Sequence, residues 1–190
     1  AMTEPGTGSD LQNIKTKATV KENNIILNGS KTFITNGQNA NLVLVVAKTD
    51  ITKKAKGISI VLCEDYRKGF EKGKNLKKIG MQAQDTSELF FHDVELPKEN
   101  ILGQSGQGFG QLMDELPQER LSIAVTAIAA AESALDRTIS YTKERTAFNT
   151  KIIDFQNTKF TLAKLKSELS VARAYIDRCI FCLLYTSDAA

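Results

Sequence analysis

The chain has 190 residues, of which 42% are hydrophobic and 25% charged, a composition typical of a globular protein. Its net charge of +3 comes from interspersed acids and bases, which argues against nucleic acid or an anionic membrane as a partner. No apolar run approaches the roughly 18 residues that span a bilayer, and no basic-then-apolar signal pattern begins the chain, so we predict a protein that is not secreted.

The cysteines and the single histidine predict no metal site. Three cysteines, an odd number, argue against a disulfide scaffold and for a reducing compartment. Cys179 and Cys182 have CxxC spacing but lie inside a helical pattern without a second pair, which favours two apolar residues over a redox or metal site. His92 has no cysteine or carboxylate cluster at ligand spacing.

The first ten residues form a polar loop. Its centre is the turn-forming dipeptide Pro5-Gly6, and small or hydroxyl-bearing residues surround it. Such a loop suits the polar atoms of a bound ligand, although surface turns have the same composition. It does not match the GxGxxG pattern of dinucleotide-binding loops.

Short strands are predicted from there to about residue 104. The β-branched, aromatic and apolar runs predict strands at 17–21, 25–27, 31–34, 42–47, 58–62 and 88–96. Asn28-Gly29 and Asn36-Gly37 are typical of tight turns between antiparallel strands, and residues 63–87 are predicted to be mostly extended loop. At least five strands without an intervening helix predict an antiparallel β-barrel or sandwich.

A glycine-rich stretch from Gly103 to Gly108 precedes an abrupt change to helical patterning. We therefore predict an α+β fold, with a β domain at 1–104 and part of an antiparallel helical bundle at 105–190. The first helix runs from about Gln107 to Arg145, and Pro117 is expected to kink it or to restart it just before Glu119.

Asp154 is the predicted N-cap of a second helix with a regular apolar stripe. The stripe consists of Phe155, Thr158, Leu162, Leu165, Leu169, Ala172, Ile176 and Cys179. Two helices cannot cover this stripe together with the alanine-rich face of the first helix. We therefore expect that the chain is incomplete or that another subunit supplies the missing helices. Residues 185–190 lose the periodicity and are either a frayed end or not native to the protein.

Glu119 is the best candidate for a reacting side chain. At 100° per residue it shares a stripe of the first helix with Leu112, Leu116, Ile123, Thr126 and Ala130. A carboxylate on such a stripe is ion-paired, peripheral or placed for acid–base chemistry. Its position alone does not choose among these.

Three motifs together resemble the acyl-CoA dehydrogenases, flavin enzymes that desaturate acyl thioesters. Residues 3–10, Thr-Glu-Pro-Gly-Thr-Gly-Ser-Asp, are similar to the family's TEPxxGSD signature. Residues 31–37 resemble its K-x-[WF]-I-[TS]-N-[GA] motif, and residues 145–148 resemble its R-x-x-F loop. The resemblance runs to about residue 182. It implies the family's middle β domain and the first two helices of its C-terminal helical domain, without the helical domain that precedes them or the last helices.

The resemblance implies FAD as cofactor and assigns residues to it. Thr3 and Ser9 would lie against the flavin ring, Met2 and Gly8 would add backbone contacts, and Ser9 would also touch the CoA side. From the second motif, Phe33 would stack near the flavin and Ile34 and Thr35 would line it, with the Thr35 hydroxyl near flavin N5. The residues implied to reach the diphosphate and adenosine, some of them across a subunit interface, are Arg145, Phe148 and Gln156.

The resemblance also bears on Glu119. Most members carry the catalytic glutamate in the C-terminal part, but long-chain and isovaleryl-type members carry it on the helix after the β domain, immediately before an arginine. Glu119-Arg120 matches that placement, and residues 116–121 look most like the long-chain members. Glu119 would then remove the α-proton while the β-hydrogen leaves as hydride to flavin N5, and its apolar stripe would raise its pKa. Arg120 would anchor either the CoA side of the substrate or the helix itself.

By the same resemblance, the partners would be an acyl-CoA, an electron-transfer flavoprotein and further copies of the chain in a dimer or tetramer. The compartment would be a bacterial cytoplasm or the mitochondrial matrix. Two other readings remain: an acyl-CoA oxidase-like flavoenzyme, and a non-catalytic binding or assembly module that keeps the fold. Asn149 replaces a usual glycine, which would alter the turn of its loop. Gly110 stands where long-chain members often have an aromatic near the substrate, so the acyl chain length stays open.

Overall fold

The computed structural model describes residues 1–187, so the end of the segment 185–190 lies outside the described residues. The chain divides into two compact units, one of residues 1–114 and one that begins at Glu115. This division falls inside a helix and later than the expected boundary at 104/105.

Six strands of the first unit form one sheet. Their bounds are β1 Lys17–Val20, β2 Asn24–Thr35, β3 Leu42–Lys48, β4 Ile58–Glu64, β5 Phe70–Asn75 and β6 Thr86–Pro97. The order across the sheet is β4-β3-β1-β2-β6-β5. All neighbours are antiparallel except β1 and β3, which pair in parallel through Lys17 and Lys48. The α+β class is confirmed, with a mixed sheet that, in the residues described, does not close into a barrel.

Alternating apolar residues bury one face of this sheet. Val43, Val45 and Ala47 of β3 point into the main core, as do Leu89 and Phe91 of β6. The opposite face of β3 is also covered in part. Val46 and Ile58 pack there with Leu11 and Ile14, against the half-buried Phe109 and Leu112 from the first turns of the following helix.

The predicted turn at Asn28-Gly29 is wrong, because β2 continues through both residues. The pairing of β2 with β6 shifts register between Leu27 and Gly29, and Gly29 has φ +146°. The Asn28 side chain bridges this irregularity by donating to the Asp93 carboxylate and accepting from the Asp93 N–H, both at 2.9 Å. The turn at Asn36-Gly37 is confirmed, with Asn36 at φ 64°.

Two long helices follow the sheet: α1 Gly108–Glu144 and α2 Gln156–Ser187. Since α1 is continuous through Pro117, the helix does not restart before Glu119, and of the two expected outcomes at Pro117 a kink stays a prediction. Asp154 lies in a short 3₁₀ turn, and α2 begins only at Gln156, so Asp154 is not its N-cap. The Asp154 carboxylate instead pairs with Lys159 at 3.3 Å.

The second unit joins α1 and α2 through an ion pair and a small apolar contact. Arg173 of α2 donates from Nε to Glu132 of α1 at 3.1 Å, and Leu135, Leu162 and Ile176 are buried. The predicted stripe of the second helix is largely covered, since only Phe155 and Leu165 of its members are exposed, and most of the exposed apolar surface lies outside it. The exposed large apolar residues of this unit include Ile123, Leu165, Val171, Tyr175 and Phe181.

Neither of the two helices described carries an apolar stretch long enough to cross a membrane. Among residues 1–187, no group of three or more histidine, cysteine, aspartate or glutamate side chains is arranged to hold a metal ion.

Candidate active site

The loop that carries the first motif is closed on itself. Glu4 and Thr7 exchange two backbone hydrogen bonds of 2.9 and 3.0 Å around Pro5 and Gly6. The Thr7 hydroxyl also donates to the Asn13 carbonyl at 3.3 Å. The tip of the loop, residues 5 and 6 together with 8–10, is exposed. A rigid base therefore presents an accessible polar edge.

The buried centre of this base is the Glu4 carboxylate, which is 6% exposed. Its Oε2 accepts a hydrogen bond from the Lys15 N–H at 2.6 Å, and its Oε1 accepts one from the Thr16 N–H at 3.0 Å. The Lys31 ammonium lies 2.9 Å from the same Oε1. Glu4 thus holds the segment before β1 and the interior of β2 together.

Lys31 is fully buried and makes the second connection. Its Nζ donates to the Met2 carbonyl at 2.8 Å as well as to Glu4. One residue further along β2, the Thr32 N–H donates to the Thr3 carbonyl at 2.9 Å. The first two motifs, which lie about 27 residues apart in sequence, are therefore one bonded structure.

The surroundings of the Glu4–Lys31 pair act on the pKa of both groups. Burial alone would raise the pKa of the Glu4 carboxyl, but hydrogen bonds from Thr16, Lys15 and Lys31 outweigh it and hold this pKa below its ordinary value. Burial lowers the pKa of the Lys31 ammonium, and the Glu4 carboxylate opposes that shift. Two oxygen acceptors on one ammonium and three donors on one carboxylate favour the charged forms of both groups.

Immediately after Lys31, strand β2 is distorted. Its pairing with β6 shifts register between Lys31 and Ile34, and Phe33 adopts φ 58°. A bulky residue in this conformation costs about 1–3 kcal/mol, and such strain is concentrated at functional sites. The Phe33 ring is also 66% exposed. An aromatic face is thus held out to solvent two residues from the buried pair.

The neighbours of Phe33 lie as follows. Ile34 is half-buried and packs against the main core, whereas Thr35 is exposed beside Thr86 of β6. Met2 and Thr3 are half-buried, and Gly8 and Ser9 are exposed. The Thr3–Thr32 hydrogen bond places the loop next to the bulge, so the structure brings these two groups of predicted site residues together.

Glu119 and Arg120 lie on α1 in the second unit, and both are exposed. Their neighbours on the predicted stripe do not enclose them within this unit, since Ile123 is 71% exposed and Thr126 and Ala130 are exposed. The burial expected around the carboxylate is therefore not supplied by the second unit itself.

The third motif forms a tight hairpin, β7 Thr146–Ala147 and β8 Thr150–Lys151. Its two turn residues, Phe148 and Asn149, have φ 51° and 58°, as a type I′ turn requires. Asparagine tolerates this left-handed conformation better than most non-glycine residues, so Asn149 keeps the turn that a glycine would make. Phe148 is strained like Phe33 and is 93% exposed.

Two further residues assigned to the cofactor flank this hairpin, and both have exposed side chains. Arg145 has a fixed backbone: its N–H donates to the Tyr141 carbonyl, and its carbonyl accepts from the Ile152 N–H, both at 2.9 Å. Gln156 is the first residue of α2.

Sequence reasoning missed Glu4 and Lys31 as site-forming residues, although both stand in the quoted motifs. A usable signal was present in β2, where Ile25, Leu27 and Lys31 all occupy inward positions of a period-2 pattern. A lysine at an inward position requires a buried anionic partner.

Two family models match the chain. The acyl-CoA dehydrogenase middle domain matches residues 1–94, and the acyl-CoA dehydrogenase C-terminal domain matches residues 106–182. The chain belongs to the acyl-CoA dehydrogenase family. Its middle-domain match contains the loop and the bulge, and its C-terminal match contains Glu119 and the hairpin.

Individual acyl-CoA dehydrogenases are similar over nearly the whole chain. The mitochondrial long-chain specific acyl-CoA dehydrogenase of Mus musculus is 50% identical over 182 residues, which are 95% of this chain and 42% of that protein. The crystal structure of an acyl-CoA dehydrogenase from Geobacillus kaustophilus is 47% identical with a TM-score of 0.91, covering 95% of this chain and 48% of that one. The chain therefore spans about half the length of the relatives it matches.

A second similar structure contains a cofactor. PigA with FAD and proline is 29% identical with a TM-score of 0.90, and the match covers 94% of this chain and 47% of that one.

Proposed function

We propose that the full-length protein is an FAD-dependent acyl-CoA dehydrogenase that desaturates an acyl-CoA thioester between its α and β carbons. The observation that carries this proposal is the bonded loop and bulge, which hold polar groups and the strained, exposed Phe33 ring side by side. A flavin is a flat aromatic ring with a polar edge, and it needs both kinds of contact. The match to PigA, which binds FAD, supports this choice of cofactor.

Two groups of residues would hold FAD, some of them across a subunit interface. Thr3, Gly8 and Ser9 of the loop would donate to the ring edge, with Met2 adding a backbone contact, and Phe33, Ile34 and Thr35 would line the ring. The hairpin and its flanks, Arg145, Phe148 and Gln156, would take the diphosphate and adenosine. When bound, FAD supplies the two-electron acceptor for the β-hydrogen of the substrate. Hydroxyl and N–H donors at the ring edge stabilise the negative charge that then develops.

Glu119 would act as the general base that takes the α-proton of the thioester. Its exposed carboxylate is accessible on α1, and its position directly before Arg120 matches the long-chain type of placement. Ser9 and Arg120 would contact the CoA side of the substrate, with Arg120 alternatively fixing the helix. The competing placement of the base is a glutamate in a C-terminal part beyond these residues.

The partners follow from the same proposal. The substrate is an acyl-CoA, and an electron-transfer flavoprotein removes the electrons. The exposed apolar face of α1 and α2 fits a homo-oligomer, a dimer or a tetramer, in which the face is covered. The mitochondrial relative and the Geobacillus structure fit a location in the mitochondrial matrix or in a bacterial cytoplasm.

The test is anaerobic reduction of the purified full-length protein by acyl-CoA thioesters of increasing chain length. We expect stoichiometric FAD whose visible absorption bleaches with at least one of them. Slow reoxidation by oxygen and fast reoxidation by an electron-transfer flavoprotein are expected. Fast reoxidation by oxygen would favour the oxidase-like alternative, and a protein that never retains FAD would favour the non-catalytic module.

The 190-residue chain itself is expected to bind FAD weakly and to desaturate acyl-CoA poorly. It contains both groups of proposed FAD contacts, but it spans only 42% of the length of the long-chain relative. Equilibrium dialysis with FAD and a dye-reduction assay on the isolated chain check this expectation. Tight FAD binding and robust turnover by these residues alone would contradict it.

A further inference from the structure

The Glu4–Lys31 pair constrains the loop in a way that the proposed chemistry does not by itself require. Every hydrogen bond described for the Lys31 ammonium ends on the loop, at the Met2 carbonyl and the Glu4 carboxylate. The ammonium is fully buried, so it has no water to replace these partners. If the loop moves away from β2, a charge is left buried and unpaired on the strand.

This arrangement fixes Thr3 from both sides. Its preceding neighbour, Met2, accepts a hydrogen bond from Lys31, and its following neighbour, Glu4, is held by three donors. The Thr3 carbonyl itself accepts from the Thr32 N–H, at the residue where the bulge begins. The strained Phe33 follows directly, so hydrogen bonds and the chain itself connect the loop to the bulge.

We infer that Lys31 is a positioning residue that fixes the loop at residues 2–9 against the bulge at Phe33. It thereby sets the positions of the groups that would contact the flavin ring. This inference rests on the proposed function for its ligand, FAD. Lys31 is not one of the proposed substrate or cofactor contacts, and it acts through Met2, Glu4 and Thr32. Its removal is expected to change the environment of the bound ring, whereas a purely structural lysine would change only stability.

Lys72 offers a control in the same sheet at a less buried position, since its side chain is 23% exposed. Like the Lys31 ammonium, its ammonium binds one carboxylate, Asp65 at 3.2 Å, but it binds two backbone carbonyls instead of one, Gln38 at 3.1 Å and Ala40 at 2.7 Å. It lies on β5 and makes none of its described hydrogen bonds to the loop at residues 2–9. Both substitutions remove a hydrogen-bonded lysine from the sheet, but only the one at Lys31 releases the loop. An effect seen only in the Lys31 variant is therefore due to the position of the loop.

The experiment compares Lys31→Met and Lys72→Met in the full-length protein. We expect Lys31→Met to weaken FAD binding at least tenfold, to speed amide hydrogen exchange at residues 2–9, and to alter the visible circular dichroism of the flavin at saturating FAD. We expect Lys72→Met to stay within about twofold of wild type in FAD affinity and to keep the wild-type flavin spectrum.

Glu4→Gln and the double variant Glu4→Gln/Lys31→Met complete the test. Removing both charges is less damaging than leaving one buried alone, so the double variant is expected to recover part of the loop protection lost in Lys31→Met. If Lys31→Met does not fold, Glu4→Gln carries the same three measurements, because its amide keeps an acceptor for Lys15 or Thr16.

The outcomes separate the two proposals. A wild-type protein without FAD overturns the proposed function. Hydrogen exchange at residues 2–9, compared between Lys31→Met and wild type, then still tests whether Lys31 fixes the loop. A wild-type protein that holds FAD, together with a Lys31→Met variant of unchanged FAD affinity, flavin spectrum and loop exchange, overturns the positioning inference alone. Equal spectral changes in Lys31→Met and Lys72→Met would also overturn it.

Discussion

Glu119→Gln in the full-length protein is expected to slow flavin reduction by acyl-CoA by roughly 10²- to 10⁴-fold, the range that a positioned general base contributes. The amide has nearly the same shape as the carboxylate, but it cannot take the α-proton of the thioester. FAD should stay bound, because no proposed FAD contact is altered. Anaerobic stopped-flow bleaching of the flavin, with FAD content measured in the same sample, gives both quantities.

Glu115→Gln is the matched control for that variant. Glu115 is an exposed carboxylate on the same helix, one turn before Glu119. Its substitution is expected to leave the bleaching rate within about twofold of wild type. If Glu119→Gln bleaches as fast as wild type, the base lies elsewhere, and a glutamate in the C-terminal part becomes the candidate.

The strands were predictable wherever local pattern and local chemistry agree. The apolar run at 42–47 gives β3, and the turn-forming Asn36-Gly37 does make a turn. Asn28-Gly29 has the same two residue types, yet it lies inside β2. There, the Asn28 side chain finds a cross-strand partner in Asp93, and Gly29 accommodates a register shift. An Asn-Gly dipeptide can therefore form a turn or lie inside a strand. At Asn28-Gly29 the strand is stabilised by Asp93, which lies 65 residues further along the chain.

The sequence proposes the members of the site by resemblance, but it does not predict the hydrogen bonds that connect them. The motifs supplied the proposed FAD residues by resemblance, and the structure shows that the loop and the bulge are neighbours. The Glu4–Lys31 bond joins residues that no helix or hairpin periodicity relates, so local patterns do not reveal it. For Glu119 the stripe predicted an apolar surrounding, but α1 and α2 leave its side chain exposed, because the residues expected to enclose it are not buried in this unit.

Gly29→Ala is expected to destabilise the 190-residue chain by roughly 2–5 kcal/mol, the sum expected for overpacking and for a strained backbone. A Cβ at Gly29 would lie 2.5 Å from the Thr16 hydroxyl oxygen and 2.7 Å from the Thr16 Cα, and φ +146° disfavours any side chain. Because the collision includes backbone, Thr16 must shift, and its N–H is one of the three donors to Glu4. The substitution therefore weakens the loop as well as the sheet, and FAD affinity of the full-length protein is expected to fall with stability. Thermal unfolding should show a midpoint lower by roughly 5–15 °C.

Gly80→Ala is the control for this substitution. At the exposed Gly80, a Cβ would meet nothing within 4 Å, so Gly80→Ala should leave the free energy of unfolding within about 1 kcal/mol of wild type. Equal thermal unfolding midpoints for the two variants would contradict this prediction. They would show that Thr16 moves away from a Cβ at Gly29 without a loss of stability.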